Sequence, residues 1–404
     1  MKFICIILLL MTFYSCQQQS KPNKDSVKSD PEKVAFHIPV NIQISSGNNL
    51  ADSPFLTKDE KGNPVLSWVE GKKDSVYMYY SKWDSIKNKF DCPMQIDVTF
   101  GLTAEGENMP KIGFKKSGQM VVLFSKRTPT KKNRFAGAIY YSETKDGVLW
   151  SEPKYLHYGD TTKNTGRGFY DIARIENGEL GAIWLDGRKK SKKGSTLMFA
   201  STEKGKVGFH NEKEIAQQTC QCCRTDLFVD SNGKINIAFR DIVQDSIRDI
   251  AYIYSKDNGS FFTKPKRIYE DDWVIYGCPH TGPTMTEFNN QILFYWYSEG
   301  KEKGVFEISG NEKLDFSLRK MMCTNIYHPQ TYTANNKVYL VFEEDNGLNR
   351  RIKLFNKSKN SYAYLTSEKS NAEYPVITST KKGKTIVAFT KGKGENKQVY
   401  YVIQ

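Results

Sequence analysis

After its first sixteen residues the sequence has no apolar run long enough to cross a bilayer as a helix, which excludes a further spanning helix. No stretch beyond that point carries a helical apolar period, so helical bundles and α/β architectures have no support. Histidine is scarce, with 5 in 404 residues. No Gly-rich phosphate loop and no Ser-His-Asp order stands out, which argues against nucleotide-dependent transfer and serine-triad hydrolysis. Acidic residues are outnumbered, 45 against 59 Lys and Arg. The resulting charge of +14 is scattered along the chain and builds no basic helix or nucleic-acid motif. It is read as surface charge suited to solubility and to an anionic ligand, and no nucleic-acid partner is expected.

What is present begins with "MKFICIILLLMTFYSC", a Lys, a short apolar run, then Ser15 and Cys16. The run is too short to span and fits a secretory signal. A cysteine directly after it resembles a bacterial lipobox, which implies lipidation of Cys16; ordinary cleavage is the alternative. Residues 1–16 are expected to be a lipoprotein signal peptide, 17–34 a polar tether and 35–404 the folded body. The expected location is the cell envelope, with a membrane anchor at Cys16 and a monomeric body.

The body repeats. An apolar stretch, a turn with Gly or Asn and a β-rich run recur from Ser53, Met109, Tyr170, Arg224, Gly282, His328 and Tyr374. KG, SG, NG and NN turns suit tight hairpins. The first six hairpins are each followed by a third and a fourth β-rich segment; the seventh has a third, "QVYYVIQ", and then the chain ends. The segment 36–45, "FHIPVNIQIS", resembles the missing fourth strand and is expected to close a ring. The fold class is therefore all-β, a β-propeller of four-stranded blades, with seven blades favoured and six the alternative. Two stacked β-sandwiches are the rival architecture.

"SKDNGSFF" (255–262) matches the Asp-box pattern S-x-D-x-G-x-x-F/W, "SETKDGVLW" (142–150) keeps its Gly and aromatic, and "STEKGKVGF" (201–209) is weaker. On these motifs the body resembles the sialidase-like, Asp-box-repeat β-propeller superfamily over nearly all of its mature length. The resemblance implies six blades, a triad of arginines, an Asp acid/base and a Tyr nucleophile activated by Glu. Arg240 is similar in position to the second arginine, Arg350 or Arg351 would be the third, and Tyr327 with Glu343 is the candidate pair. The first arginine's motif is replaced by Asp52-Ser53-Pro54, so that arginine is missing. If the protein is an enzyme, it is expected to be a sialidase-like glycoside hydrolase.

Cysteines crowd three segments: "QQTCQCCRTD" (217–226), "GCPHTGP" (277–283) and "MCTNIYHP" (322–329). The repeat map places Cys220, Cys222, Cys223, Cys278, His280, Cys323 and His328 at equivalent crossovers of three adjacent blades, with Cys92 elsewhere. Cys220, Cys222, Cys223 and Cys278 are expected to form one cluster with His280 at its edge. Disulfides, a copper or zinc site, and thiol exchange remain open. No cofactor is certain. Asp171, Asp186, Arg188, Arg224, Arg240, Asp241, Arg248 and Asp249 are expected to ring the same mouth, with Tyr170, Trp273, Tyr276 and Tyr327 as aromatic surface. Carboxylates, arginines and rings at a concave mouth suit a glycan or small anionic ligand. Exo-glycosidase action and metal binding are the alternatives.

Overall fold

The computed structural model describes residues 38–72, 75–158, 164–189, 193–311 and 315–404. The signal, Cys16 and the tether lie outside them. The described sheets are seven antiparallel blades. Blade one holds Leu50–Lys58, Pro64–Lys72 and Ser75–Asp84, with an outer strand in two pieces, Lys89–Phe90 and Met94–Ile96. Pro93 has no N–H to donate, and the outer strand breaks there. Blade two holds Lys111–Phe114, Met120–Arg127, Gly137–Thr144 and Lys154–Tyr155; blade three holds Arg167–Arg174, Leu180–Asp186, Ser195–Thr202 and Phe209–Thr219. Blade four is Asp226–Val229, Ile235–Arg240, Ile250–Ser255 and Lys266–Arg267; blade five is Thr284–Phe288, Gln291–Glu299, Lys303–Gly310 and Lys320–Cys323. Blade six is Ile326–Ala334, Lys337–Asp345, Arg350–Asn356 and Ser361–Tyr364.

Blade seven is Ala372–Ser379, Thr385–Lys391 and Gln398–Ile403, and its fourth strand is the N-terminal Ile42–Gln43. Ile42 pairs with Tyr401 and Gln43 with Tyr400. Ser45 continues the closure, its hydroxyl donating to Gln398 and accepting from the Val399 N–H. The closing strand is shorter than the segment 36–45; residues 36–37 are outside the described ones. The first strands lie side by side in a complete circuit of seven, so the ring is closed and the six-blade alternative is set aside.

Seven apolar clusters fill the seven interfaces between neighbouring blades. One joins blades two and three through Tyr141, Tyr170 and Trp184, and another joins blades one and seven through Trp68, Phe90 and Tyr401. Each blade therefore buries both faces, which is why its second strand is buried along most of its length rather than on alternate residues. The turn between third and fourth strands carries the Asp-box physics. In blade four the Ser255 hydroxyl donates to Asp257 and accepts from Gly259 N–H. Gly259 has φ +85°, and a Cβ there would meet the Phe199 ring at 2.3 Å, so only glycine lets this turn pack on blade three. In blade two Thr144 takes the serine's role with Asp146 and Gly147, which accounts for the shifted Asp in the sequence.

Candidate functional site

Because strand direction alternates, fourth-to-first crossovers and second-to-third loops share one face. The first strands enter the channel there through bulges at Asp52/Phe55, Gly168/Asp171, Tyr327/Gln330 and Glu373/Val376. Ser53, Phe169, His328 and Tyr374 sit at these bulges with φ between 48° and 57°, a left-handed conformation unusual for side chains other than glycine and asparagine. Such strained bulges re-aim the side chain that carries them.

At blades six and seven the bulges converge on Glu343, a fully buried carboxylate. One of its oxygens accepts from His328 Nδ1 at 2.8 Å and from the Tyr374 N–H at 2.5 Å; the other lies 3.3 Å from Arg350 Nη1. His328 Nε2 lies 3.3 Å from the His280 carbonyl. Both ring nitrogens therefore face acceptors, and the cation is the favoured form. Burial acts to lower the His328 pKa, but Glu343 outweighs it and carries it up to about 9. The Tyr374 ring lies 4.8 Å from the imidazole, and burial, then Glu343, raises its phenol so that it stays protonated. Gly106 makes room for that ring, since a Cβ there would meet it at 2.1 Å. Arg350 is 37% exposed and also reaches Asp345 and Glu373. Lys397 bridges Asp52 and Glu373 beside it.

Deeper in the ring, Arg224 ties three blades and the Glu107 loop together. Its guanidinium meets Glu107 at 3.1 Å and donates to the carbonyls of Gly282, Pro283 and Pro329. Glu107 in turn accepts from the Gly282 N–H. Arg224 thus acts as an internal bolt.

Most of the other polar residues expected around the mouth are also bound by protein partners. Asp171 accepts from the N–H groups of Ile172 and Leu227 and pairs with Lys111. Burial opposes ionisation of Asp186, yet Arg188 and Arg167 hold it below the usual carboxylate range. Arg188 also reaches Glu212. Arg240 donates to the carbonyls of Arg248, Thr281 and Tyr297, with Trp273 against its face. Asp249 accepts from Asp272 and Trp273 and pairs with Arg267. Burial pushes the half-covered Asp241 up to about 6. Arg248 is buried, with Nε and Nη1 lacking partners among the described residues. Tyr170 and Trp273 are buried and Tyr276 is exposed. Tyr327 faces Glu343 in the ladder, but its ring packs tilted against Tyr297 while Glu343 is taken by His328, Tyr374 and Arg350.

The cysteines divide. Cys220, Cys222 and Cys223 are buried, and their sulfurs lie within 4.8 Å of one another. Cys220 Sγ is 3.7 Å from Cys222 Sγ and 3.5 Å from Cys223 Sγ. These are non-bonded distances, and no described cysteine is in a disulfide. Hydrogen bonds from the two neighbouring thiols lower the Cys220 pKa, and Arg240 adds to this. The expected fourth member does not join: Cys278 and His280 are exposed, and Cys323 ends the fourth strand of blade five. The crossover from Arg267 to Thr284 is much longer than that from Thr219 to Asp226. Its extra length carries Cys278 outward.

The sequence reading did not single out Glu107, Lys111, Glu373, Tyr374 or Lys397. A signal was there. Ser53-Pro54, His328-Pro329 and Tyr374-Pro375 occupy the same place in three repeats, at the bulges.

No protein-family model matches this sequence, and no curated protein matches it. Among solved structures, a PL25 ulvan lyase bound to -[GlcA(1-4)Rha3S]- is similar over 92% of this chain and 96% of its own, with TM-score 0.57 and 10% identity. Polysaccharide lyase Uly1 is similar over 93% of each chain, with TM-score 0.54 and 11% identity. The Hadza microbial sialidase Hz136 covers 85% of this chain and 76% of its own at TM-score 0.49 and 13% identity. At these identities the two lyases share the propeller fold with this chain, and the sialidase score carries no weight.

Proposed function

We propose that the protein binds an acidic glycan at the channel mouth, over blades six and seven. The carrying observation is Glu343, which holds an imidazolium, a half-exposed guanidinium and the Tyr374 segment in one fixed arrangement. Cationic donors beside aromatic rings suit a sugar that bears carboxylate or sulfate, stacking its apolar face and bonding its charged edge. The lyase of like fold that carries -[GlcA(1-4)Rha3S]- is consistent with such a ligand in such a fold. A sialidase mechanism has less support, because Glu343 is committed to partners other than Tyr327 and Asp52 stands in the missing arginine's place. Titration calorimetry with sulfated and uronic-acid oligosaccharides tests the proposal. Binding should weaken at least tenfold on Arg350→Ala and on His328→Ala; absence of binding, or indifference to both changes, refutes it.

A second reading rests on the three thiols and coexists with the first: a structural copper or zinc site. A tetrahedral ion with metal–sulfur bonds of about 2.3 Å places its sulfurs roughly 3.8 Å apart. The Cys220–Cys222 and Cys220–Cys223 sulfur separations, 3.7 and 3.5 Å, are close to that value. Cys220, Cys222 and Cys223 would hold the ion, with the fourth position open. The ion would supply crosslinking of the crossover entering blade four. Metal analysis of protein purified without chelator should give about one ion per chain, lost on Cys222→Ser. Metal-free wild type in which Cys220, Cys222 and Cys223 all react as free thiols, alongside Cys92, Cys278 and Cys323, would refute it.

We also propose that the body is exported and held at the cell envelope through a lipid on Cys16, as the N-terminal sequence suggests. Cys16→Ser should release it from the membrane fraction.

A further inference from the structure

We propose that the face opposite the channel mouth docks on a lipid surface with anionic headgroups. That face carries the first-to-second turns and, beside them, the turns that join third to fourth strands. In four consecutive blades these turns push apolar side chains into solvent: Ile86 in blade one, Val148 and Leu149 in blade two, Val207 in blade three and Phe261 in blade four. Ile86 is 91% exposed. Single exposed apolar residues need no explanation, but a repeat of them on structurally equivalent turns does.

The tips are held in place. Tyr80 of blade one donates to the Gly147 carbonyl of blade two's turn. Glu143 of blade two accepts from the Gly208 N–H of blade three's turn. Lys213 of blade three donates to the carbonyls of Gly259 and Ser260 in blade four's turn. The turns of blades two, three and four are therefore bolted to the preceding blade, and their tips form a fixed row that need not be ordered on docking.

Lysines outnumber carboxylates on these turns. Asp84, Asp146 and Asp257 accept from the N–H groups of Ile86, Val148 and Phe261 respectively, with Asp146 and Asp257 still exposed. Lys89, Lys145, Lys204 and Lys264, one near each turn in blades one to four, are exposed. Apolar tips with lysines between them match a bilayer interface, which takes separate insertions and attracts ammonium groups. A protein partner would need a separate pocket for each tip.

The path of the chain points the same way. Ile42–Gln43 runs antiparallel to Gln398–Ile403 and serves as a fourth strand. Fourth strands run from this face toward the mouth, so the sequence preceding Ile42 joins the body from this side. That sequence is the one with the lipobox-like run. Docking here leaves the mouth facing away from the membrane and open to a glycan.

The test uses the compact body His37–Gln404, which holds all seven blades, so that no lipid contributes. It is sedimented with vesicles of phosphatidylcholine alone and with roughly one-third phosphatidylglycerol. Co-sedimentation is expected with the anionic vesicles only. Leu149→Asp combined with Phe261→Asp should cut the bound fraction at least tenfold with an unchanged melting temperature. Arg350→Ala, at the mouth, should leave it unchanged, which separates this proposal from the glycan reading. The proposal is overturned if wild type does not sediment or if the double variant sediments as well as wild type. It is also overturned if the same substitutions dissolve a dimer that the body forms without lipid.

Discussion

Raising the pH above neutrality should remove a stabilising contribution that originates at one side chain, His328. Burial works against its charge, but Glu343 at 2.8 Å dominates, Glu107 adds to it and Arg224 opposes. The net effect is a rise from 6.5 to about 9. The folded chain thus holds the proton more tightly than the unfolded one. The contribution is complete below pH 6.5 and is lost as the pH rises through about 9. A rise of that size corresponds to about 3 kcal/mol. Asp226, which burial and Asp171 push up to about 7, also loses a contribution as pH rises, and over a lower range. Comparison with Glu343→Gln separates the two, because the Asp226 term is common to both proteins. Urea unfolding at pH 6.5 and near pH 10 should show wild type losing about 3 kcal/mol more than the variant. The His328 ring resonance should titrate near 9 in wild type and below 7 in Glu343→Gln. Equal pH dependence of the two proteins, or a wild-type ring that titrates near 6.5, would refute the account of Glu343 as the hub of the site.

Arg224→Met leaves Glu107 buried without its cation, and should cost roughly 3–5 kcal/mol by calorimetry; a loss under about 1 kcal/mol would mean that the bolt carries no weight. Deleting the chain through Ser45 strips Ile44 from the core between blades seven and one and removes the Ser45 hydrogen bonds, a loss of about 4 kcal/mol. If the shortened body melts with the parent, the closing strand is dispensable. Release of sialic acid from model sialosides should be negligible, and clear turnover by pure protein that disappears on Arg240→Ala would restore the glycosidase reading.

The repeat, the blade count and the N-terminal closure were legible in the sequence, because each depends on local patterns repeated seven times. Tight turns, apolar second strands and a missing last strand are visible one hairpin at a time, and repetition averages out the ambiguity of any single one. The Cys220, Cys222, Cys223 group was legible for the same reason, its members being too close in sequence to separate far. Sequence order also put Cys278 and His280 at the equivalent crossover, but loop length, not order, decides how far a crossover swings outward. The polar ring was likewise placed from sequence order. Asp186, Arg224 and Arg240 do reach that face, yet whether a charged side chain meets solvent or a neighbouring blade's carbonyl depends on contacts between distant segments. Glu343 shows this most clearly: the expected partner was Tyr327, while its oxygens turn to His328, which the bulge beside Tyr327 re-aims, to Arg350 and to the Tyr374 backbone of the next blade. Periodicity fixes which strand a residue occupies and which face it enters from. Only the closed ring, by bringing the left-handed bulges of neighbouring blades together, decides which charges meet, because electrostatic partnership is a property of distance in space and not along the chain.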